Sequence, residues 1–303
     1  MSTDGFEHVS RIDAPAIVRA MVASGGPAVQ LVKALDGGAV GAWLVRWSDG
    51  HLGVLTRFHP DTPGQPNGTF DRAKRFMDAA RGAGVPVPRY EAVVPIGDLG
   101  VAVLQERIEG RTPGVVTETL IQHVLELADL RRGLLVDTPD ADSLMPLFLT
   151  SSGPGFCLHD TLRTFNRRTR VLLEAIEATT DPENDHLRGS DVVHFDYHLG
   201  NVLVAPDRPD RVVGIVDWGG ARPGSSSLDL ATLAFDLTWR TPATLQQRVE
   251  NHLLATSDAS EVAKVWAHAS LRLLDWSIRH HPQDVDHWAT AAGRHLDLRL
   301  LRN

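Results

Sequence analysis

The sequence predicts an α+β protein, a β-rich first third joined to a largely α-helical remainder. Three observations carry this prediction. Apolar residues alternate with polar ones, between glycine-containing turns, over residues 28–58 and again over 85–110. From residue 116 onward the apolar spacing changes to three- and four-residue steps. Only two short apolar runs, Val202–Val204 and Val212–Val216, interrupt the helical part.

In order along the chain, AVQLVKAL, AWLVRW and HLGVLTRF read as strands, separated by DGGAVG and by the turn Ser48–Asp49–Gly50. PDTPGQPNG, residues 60–68, is a loop. TFDRAKRFMDAARGAG reads as a helix, with Phe70, Ala73, Met77 and Ala80 on one face and Gly82 and Gly84 ending it. VPVPRYEAVVPIGDLGVAVLQERIEG supplies two more strands. Residues 116–135 and 158–179 read as helices around a loop at 136–157 rich in Pro, Asp, Ser and Gly. From Leu228 the pattern is helical, with breaks at Pro242 and Pro282. The change of pattern near Gly110–Pro113 places a boundary between units 1–109 and 110–303.

Composition limits the function. Hydrophobic residues make up 43% and charged residues 22%, which suits a globular protein. A net charge of −8 disfavours nucleic acid as a general partner, because phosphates are repelled. Cys157 is the single cysteine, so neither an internal disulfide nor a thiolate metal site is expected. The polar start MSTDGFEHVSRID has no apolar signal core, and no run of apolar residues is long enough to span a bilayer. No membrane association and a cytoplasmic location are the expectations.

The chemistry concentrates in HFDYHLGNVLV, residues 194–204. Three readings compete. His194, Asp196 and His198 alternate and would share one side of a strand, as a zinc triad might. Asp, His, Gly and Asn also favour polar turns for conformational reasons alone. The third reading is phosphoryl transfer. His-x-Asp-x-x-x-x-Asn is the spacing of a kinase catalytic loop, in which the aspartate orients and deprotonates a hydroxyl and the asparagine offers a neutral oxygen to Mg²⁺. Sixteen residues after Asn201, the apolar run VVGIV delivers Asp217, a second carboxylate for a metal. Both halves in order favour the third reading.

These residues resemble the aminoglycoside phosphotransferase and choline kinase-like family, whose loop usually reads HGDLHPGN and whose second block reads IDWxxAxxGxxxxDLA. Here the second block is VDWGGARPGSSSLDLA, residues 216–231, with Asp217, Trp218, Ala221, Gly224, Asp229, Leu230 and Ala231 in place. VPVPRY (85–90) is similar to the family's GVPVP segment. The resemblance implies a protein-kinase-like two-lobe fold, with a small β-rich N-lobe and a larger, mostly helical C-lobe. It implies an Mg²⁺-dependent phosphotransferase moving the γ-phosphate of ATP or GTP to a hydroxyl of a small molecule. The leading acceptor is an aminoglycoside-like antibiotic. A choline, homoserine or sugar acceptor, or a nucleotide-binding module without turnover, are the alternatives.

Roles follow from the resemblance. Asp196 would be the base, with His194 bracing the loop and His198 lining or supporting it. Asn201 and Asp217 would hold Mg²⁺. Gly37, Gly38 and Gly41 would cover the phosphates, and the backbone near Glu106 and Ile108 would meet the adenine. Asp229 would tether the loop. The chain departs from the family at the strand lysine and its helix glutamate. Arg57 and Thr56 are the candidates for the lysine slot, and Asp71 is the candidate partner of Arg57. Phe195 stands where the family often has glycine, and Leu199 where it often has proline. Trp239, Trp266, Trp276 and Trp288 with Asp275, Asp284 and Asp286 offer aromatic and acidic groups that would suit a cationic acceptor.

Overall fold

The computed structural model describes residues 13–35, 41–58 and 69–296. Gly37 and Gly38 lie outside them. The chain begins with a helix that the sequence reading did not anticipate, α1 (Ala14–Ala23). Its signals are local: Asp13 caps it by accepting the Ala16 N–H at 3.0 Å, and Pro15 occupies its first turn.

Five strands follow, β1 (Gln30–Leu35), β2 (Ala42–Arg46), β3 (Leu52–Phe58), β4 (Tyr90–Pro95) and β5 (Val101–Glu106), with α2 (Thr69–Gly82) between β3 and β4. They form one antiparallel sheet in the order β1-β2-β3-β5-β4. One face of the sheet buries Val45, Leu55, Leu104, Ala102 and Val94 against Ala14, Ile17 and Met21 of α1. Residues directly opposite in neighbouring strands share a face. Arg57 pairs with Ala102, which pairs with Val94, so Arg57 sits on the α1 face. Thr56 pairs with Val103 and points the other way, as does Phe58, whose ring meets Phe70 of α2 at 4.7 Å.

The remainder is mainly helical: α3 (Glu118–Asp129), α4 (His159–Phe165), α5 (Arg167–Thr179), α6 (Ser227–Arg240), α7 (Ala243–Thr256), α8 (Ala259–His280) and α9 (Val285–His295). The expected single helix over 158–179 is two, because Asn166 caps α5 through a capping box with Thr169. Six short strands, β6 (Leu144–Pro146), β7 (His186–Arg188), β8 (Asp191–Val193), β9 (Val202–Val204), β10 (Val212–Ile215) and β11 (Arg222–Gly224), pair two by two as β6·β7, β8·β11 and β9·β10. Among the described residues no helix is long and apolar enough to cross a membrane.

A β-rich N-terminal region and a larger helical C-terminal region make this a bilobal, protein-kinase-like architecture. The cores do not divide where the chain pattern changes. Phe76, Met77 and Ala80 of α2 join the larger core with Leu120, Val193 and Trp218, so α2 is a helix of the first segment seated on the second. The connection after β5 is fastened to the C-lobe. Arg111 bridges Val204, and Ile108 packs on Gly214 so closely that a Cβ there would meet it at 2.9 Å.

Candidate active site

The loop between β8 and β9 carries Asp196, and its shape is held from below. Asp229, in the first turn of α6, accepts the N–H groups of His194 (2.8 Å) and Phe195 (2.9 Å), one on each carboxylate oxygen. Arg131 closes on the same carboxylate, and both side chains are fully buried. The Arg131 guanidinium also lies 4.3 Å from the Tyr197 ring, whose hydroxyl donates to Val124 O at 2.8 Å. A buried charge pair is helped by partners for its remaining polar atoms: the two loop amides serve Asp229, and Leu127 O accepts from Arg131 Nε at 3.3 Å, while Arg131 Nη2 has no hydrogen-bond partner among the described residues.

His194 spans the loop and the neighbouring hairpin. Its Nε2 meets Val216 O at 2.9 Å, and its Nδ1 accepts the Asp196 N–H at 3.3 Å. This network assigns the proton to Nε2. Burial pushes the ring pKa down to about 4, so it is neutral at pH 7. Both nitrogens are committed, which removes His194 from any zinc triad, and among the described residues no group of three His, Cys, Asp or Glu is arranged to hold a metal.

Phe195 has φ +75°. A non-glycine side chain in that region costs about 1–3 kcal/mol and persists only where its surroundings hold it. Here the ring is buried and packs edge-on against Phe156 at 5.8 Å.

Asp196 emerges beyond this strained residue. Arg272, on α8, donates to Asp196 Oδ1 at 2.8 Å through one nitrogen and to Phe195 O through the other. His198 Nε2 lies 3.4 Å from Asp196 Oδ2. Burial alone would raise the carboxyl, but Arg272 and the His198 contact outweigh it and hold Asp196 well below the usual carboxylate range. Asp196 is therefore ionised, as a hydrogen-bond acceptor for a hydroxyl must be. His198 Nδ1 accepts the Gly200 N–H at 3.0 Å. Residue 200 must be glycine for this turn, since a Cβ would come within 2.6 Å of the His198 ring.

Asn201 spends its Nδ2 on Asp196 O (2.9 Å) and Asp196 Oδ2 (3.2 Å). Its Oδ1 takes no hydrogen bond from a described residue. The β9–β10 hairpin then delivers Asp217. Val216 N donates to Asn201 O at 2.9 Å, fixing the hairpin's end beside Asn201. Asp217 adopts the left-handed conformation, φ +65°, and the buried Trp218 locks the turn by donating Nε1–H to Ile215 O at 2.8 Å. Among the described residues the Asp217 carboxylate has no hydrogen-bond partner. Burial within the cleft, then the like charge of Asp196, push it up to about 6. Solvent reaches the side chain, so the repulsion from Asp196 is the firmer of the two causes. The Asp217 carboxylate and the Asn201 Oδ1 are oxygen donors only, a pair whose chemistry fits Mg²⁺ better than zinc.

The structure thus brings together His194, Asp196, His198, Asn201 and Asp217. Ile108 lies in the connection that rests on the β9–β10 hairpin, while Glu106 ends β5 and pairs with Arg89. Gly41 opens β2 with φ +79°, the conformation a tight turn requires. Arg57 is not brought to the site. Strand alternation turns it toward α1, and Asp71 is exposed on α2 with no ion pair joining the two among the described residues. Thr56, the other candidate for the lysine slot, lies on the opposite face of β3 from Arg57, and α2 carries the buried Ala73 and then Lys74 about where the family's glutamate is expected. Trp266 and Trp288 are core residues around Phe235, and buried Asp275 is tied to Arg279 at 2.8 Å, so they form no exposed cage. Trp239 is exposed beside His287, 3.8 Å between ring centroids.

Sequence reasoning missed Arg272, Arg131 and Arg222. Each reaches the loop from a distant element, and nothing local to it signals a partner at residue 196, 229 or 195.

A family model described as the phosphotransferase enzyme family matches residues 32–274, and the chain belongs to that family. Among solved structures, a thermostable mutant of aminoglycoside phosphotransferase APH(4)-Ia, in ternary complex with AMP-PNP and hygromycin B, is 16% identical with a TM-score of 0.64. That alignment covers 93% of this chain and 97% of the other. A proposed fructosamine-3-kinase from Thermobifida fusca YX-ER1 is 19% identical with a TM-score of 0.54, covering 93% and 99%. An aminoglycoside-3'-phosphotransferase of type VIII is 21% identical with a TM-score of 0.51, covering 84% and 98%. Identities this low speak to the fold. No curated protein is similar enough to this chain to count as a match.

Proposed function

We propose that the chain is a small-molecule kinase that moves the γ-phosphate of ATP or GTP to an alcohol. The observation that carries this is the convergence of an ionised Asp196, an outward Asn201 Oδ1 and an unpaired Asp217 at the end of the β9–β10 hairpin. Mg²⁺ held by Asn201 and Asp217 would neutralise charge on the β- and γ-phosphate oxygens. Asp196 orients the acceptor hydroxyl and takes its proton as the new O–P bond forms and the bond to the leaving nucleoside diphosphate breaks. A strongly acidic carboxyl suffices, because proton transfer comes late in a loose transition state. His198 and Arg272 fix the two carboxylate oxygens, and His194 and Asp229 hold the loop that carries them. Gly41, with Gly37 and Gly38, would cover the phosphates. The backbone of Ile108 makes no hydrogen bond to a described residue and would meet the base.

An aminoglycoside acceptor would need an exposed acidic or aromatic surface, and the burial of Trp266, Trp288 and Asp275 removes much of what supported it. A second reading, nucleotide binding without turnover, is favoured by one feature: Thr56 stands at the candidate lysine position and α2 offers Ala73 or Lys74, neither of them an acid, about where the family's glutamate is expected. Phosphate transfer from labelled ATP or GTP to a pool of small alcohols, followed by mass, separates the two. Transfer abolished by Asp196→Ala supports the kinase; nucleotide binding with no transfer to any alcohol or to water supports the second reading.

A further inference from the structure

Beside the Phe195 ring, next to Asp196, stands a guanidinium that no described carboxylate pairs with. Phe195, in the position where the family often has glycine, presents its ring to two guanidiniums. Arg222 of β11 lies 3.5 Å from the ring centroid and Arg272 of α8 lies 4.5 Å from it. Arg272 is matched, since it holds Asp196 Oδ1. Arg222 is not. Its Nε donates to Gly220 O at 2.9 Å, and no described carboxylate pairs with it, which leaves both terminal nitrogens unspent. Burial, followed by the like charges of Arg272 and Arg72, pushes Arg222 down to about 10, so it remains cationic at neutral pH. Arg72 is itself engaged, donating to Asp140 at 3.0 Å. The nearby acids are likewise in use. Asp236 accepts the Leu199 N–H at 2.9 Å, and Asp229 holds the loop.

Two guanidiniums flank the Phe195 ring and only Arg272 has a carboxylate partner, so an anion on Arg222 would relieve the repulsion between them. A guanidinium fork with two free nitrogens matches a carboxylate or phosphate in a bidentate manner. A cationic amino sugar would instead add to the repulsion.

We infer that the acceptor is an alcohol bearing a carboxylate or a phosphate group, and that Arg222 binds this anionic group while the hydroxyl lies against Asp196. The inference rests on the phosphotransferase reading of the same site.

The test offers the wild-type protein Mg·ATP with three panels of alcohols: glycerate, malate and gluconate; glycerol 3-phosphate and glucose 6-phosphate; and glucosamine, choline and hygromycin B. ADP release and acceptor mass are followed, with calorimetry for binding. The expected result is saturable turnover in the first or second panel, and which one responds tells carboxylate from phosphate. Arg222→Gln should raise the acceptor KM more than tenfold with kcat changed less than threefold, and Arg222→Lys should recover part of the loss. Turnover confined to the amino panel overturns the proposal, as does Mg·ATP binding with no binding of any anionic alcohol. Should neither Mg·ATP nor Mg·GTP bind, the phosphotransferase reading falls, and this inference falls with it. The wild-type panels decide the matter even where Arg222→Gln does not fold.

Discussion

Arg272 and Asp196 are 76 residues apart in the chain and meet at 2.8 Å, with the other arm of the same guanidinium on Phe195 O. One side chain on α8 therefore fixes both the carboxylate and the backbone behind it. Lysine keeps the charge but cannot span both acceptors. Arg272→Lys should lower kcat roughly tenfold or more, about 1.4 kcal/mol of barrier, while the nucleotide KM stays within threefold. Steady-state kinetics at saturating nucleotide would check this. A fall in nucleotide affinity with kcat intact would argue that Arg272 does not position Asp196.

The Arg131–Asp229 pair is fully buried, so removing one partner strands a charge. Asp229→Ala should cost about 3–5 kcal/mol by urea denaturation, more than a surface substitution could. The double variant Arg131→Met with Asp229→Ala should recover part of that loss, since no lone charge remains.

Arg57 belongs to the α1 face of the sheet. Arg57→Ala should lower the melting temperature while leaving the nucleotide KM within twofold. A tenfold rise in that KM would return Arg57 to the phosphate site.

His194 and His268 are buried and neutral, and burial pushes each down to about 4. Their folded pKa values lie below the ordinary value, so the unfolded chain binds protons first as the pH falls. Their stabilisation is complete above about pH 6.5 and is lost between there and pH 4, up to roughly 3 kcal/mol for each. Urea midpoints at pH 7.5 and 5 should differ accordingly. Replacing His268, whose Nδ1 meets Leu147 O at 2.6 Å, with Gln should flatten the dependence while lowering stability at pH 7.5.

The contrast between these residues shows what a sequence exposes. Asp196, Asn201 and Asp217 were legible because their geometry is local: a tight turn, then a hairpin, so spacing along the chain is nearly spacing in space. The strands are legible because alternation marks them, but charge alone leaves both Arg57 and Thr56 as candidates for the lysine slot. Parity along β3 separates the two, with Thr56 opposite Val103. Arg272 and Arg222 were illegible because an arginine on a helix or short strand reads as solvated surface until the fold brings it to Phe195. Helix α2 shows the same limit. Its apolar face was predicted, but not that Phe76 and Met77 would pack on the C-lobe core.

If the proposed function holds, Asn201 and Asp217 complete an Mg²⁺-nucleotide site. Thermal unfolding with ATP or GTP, with and without Mg²⁺, tests it most directly, because a ligand that binds only the folded state raises its stability. The expected result is a rise in melting temperature that needs Mg²⁺ and largely disappears in Asp217→Ala. No rise with either nucleotide at millimolar concentration, or a rise equal in the variant and indifferent to Mg²⁺, would contradict it.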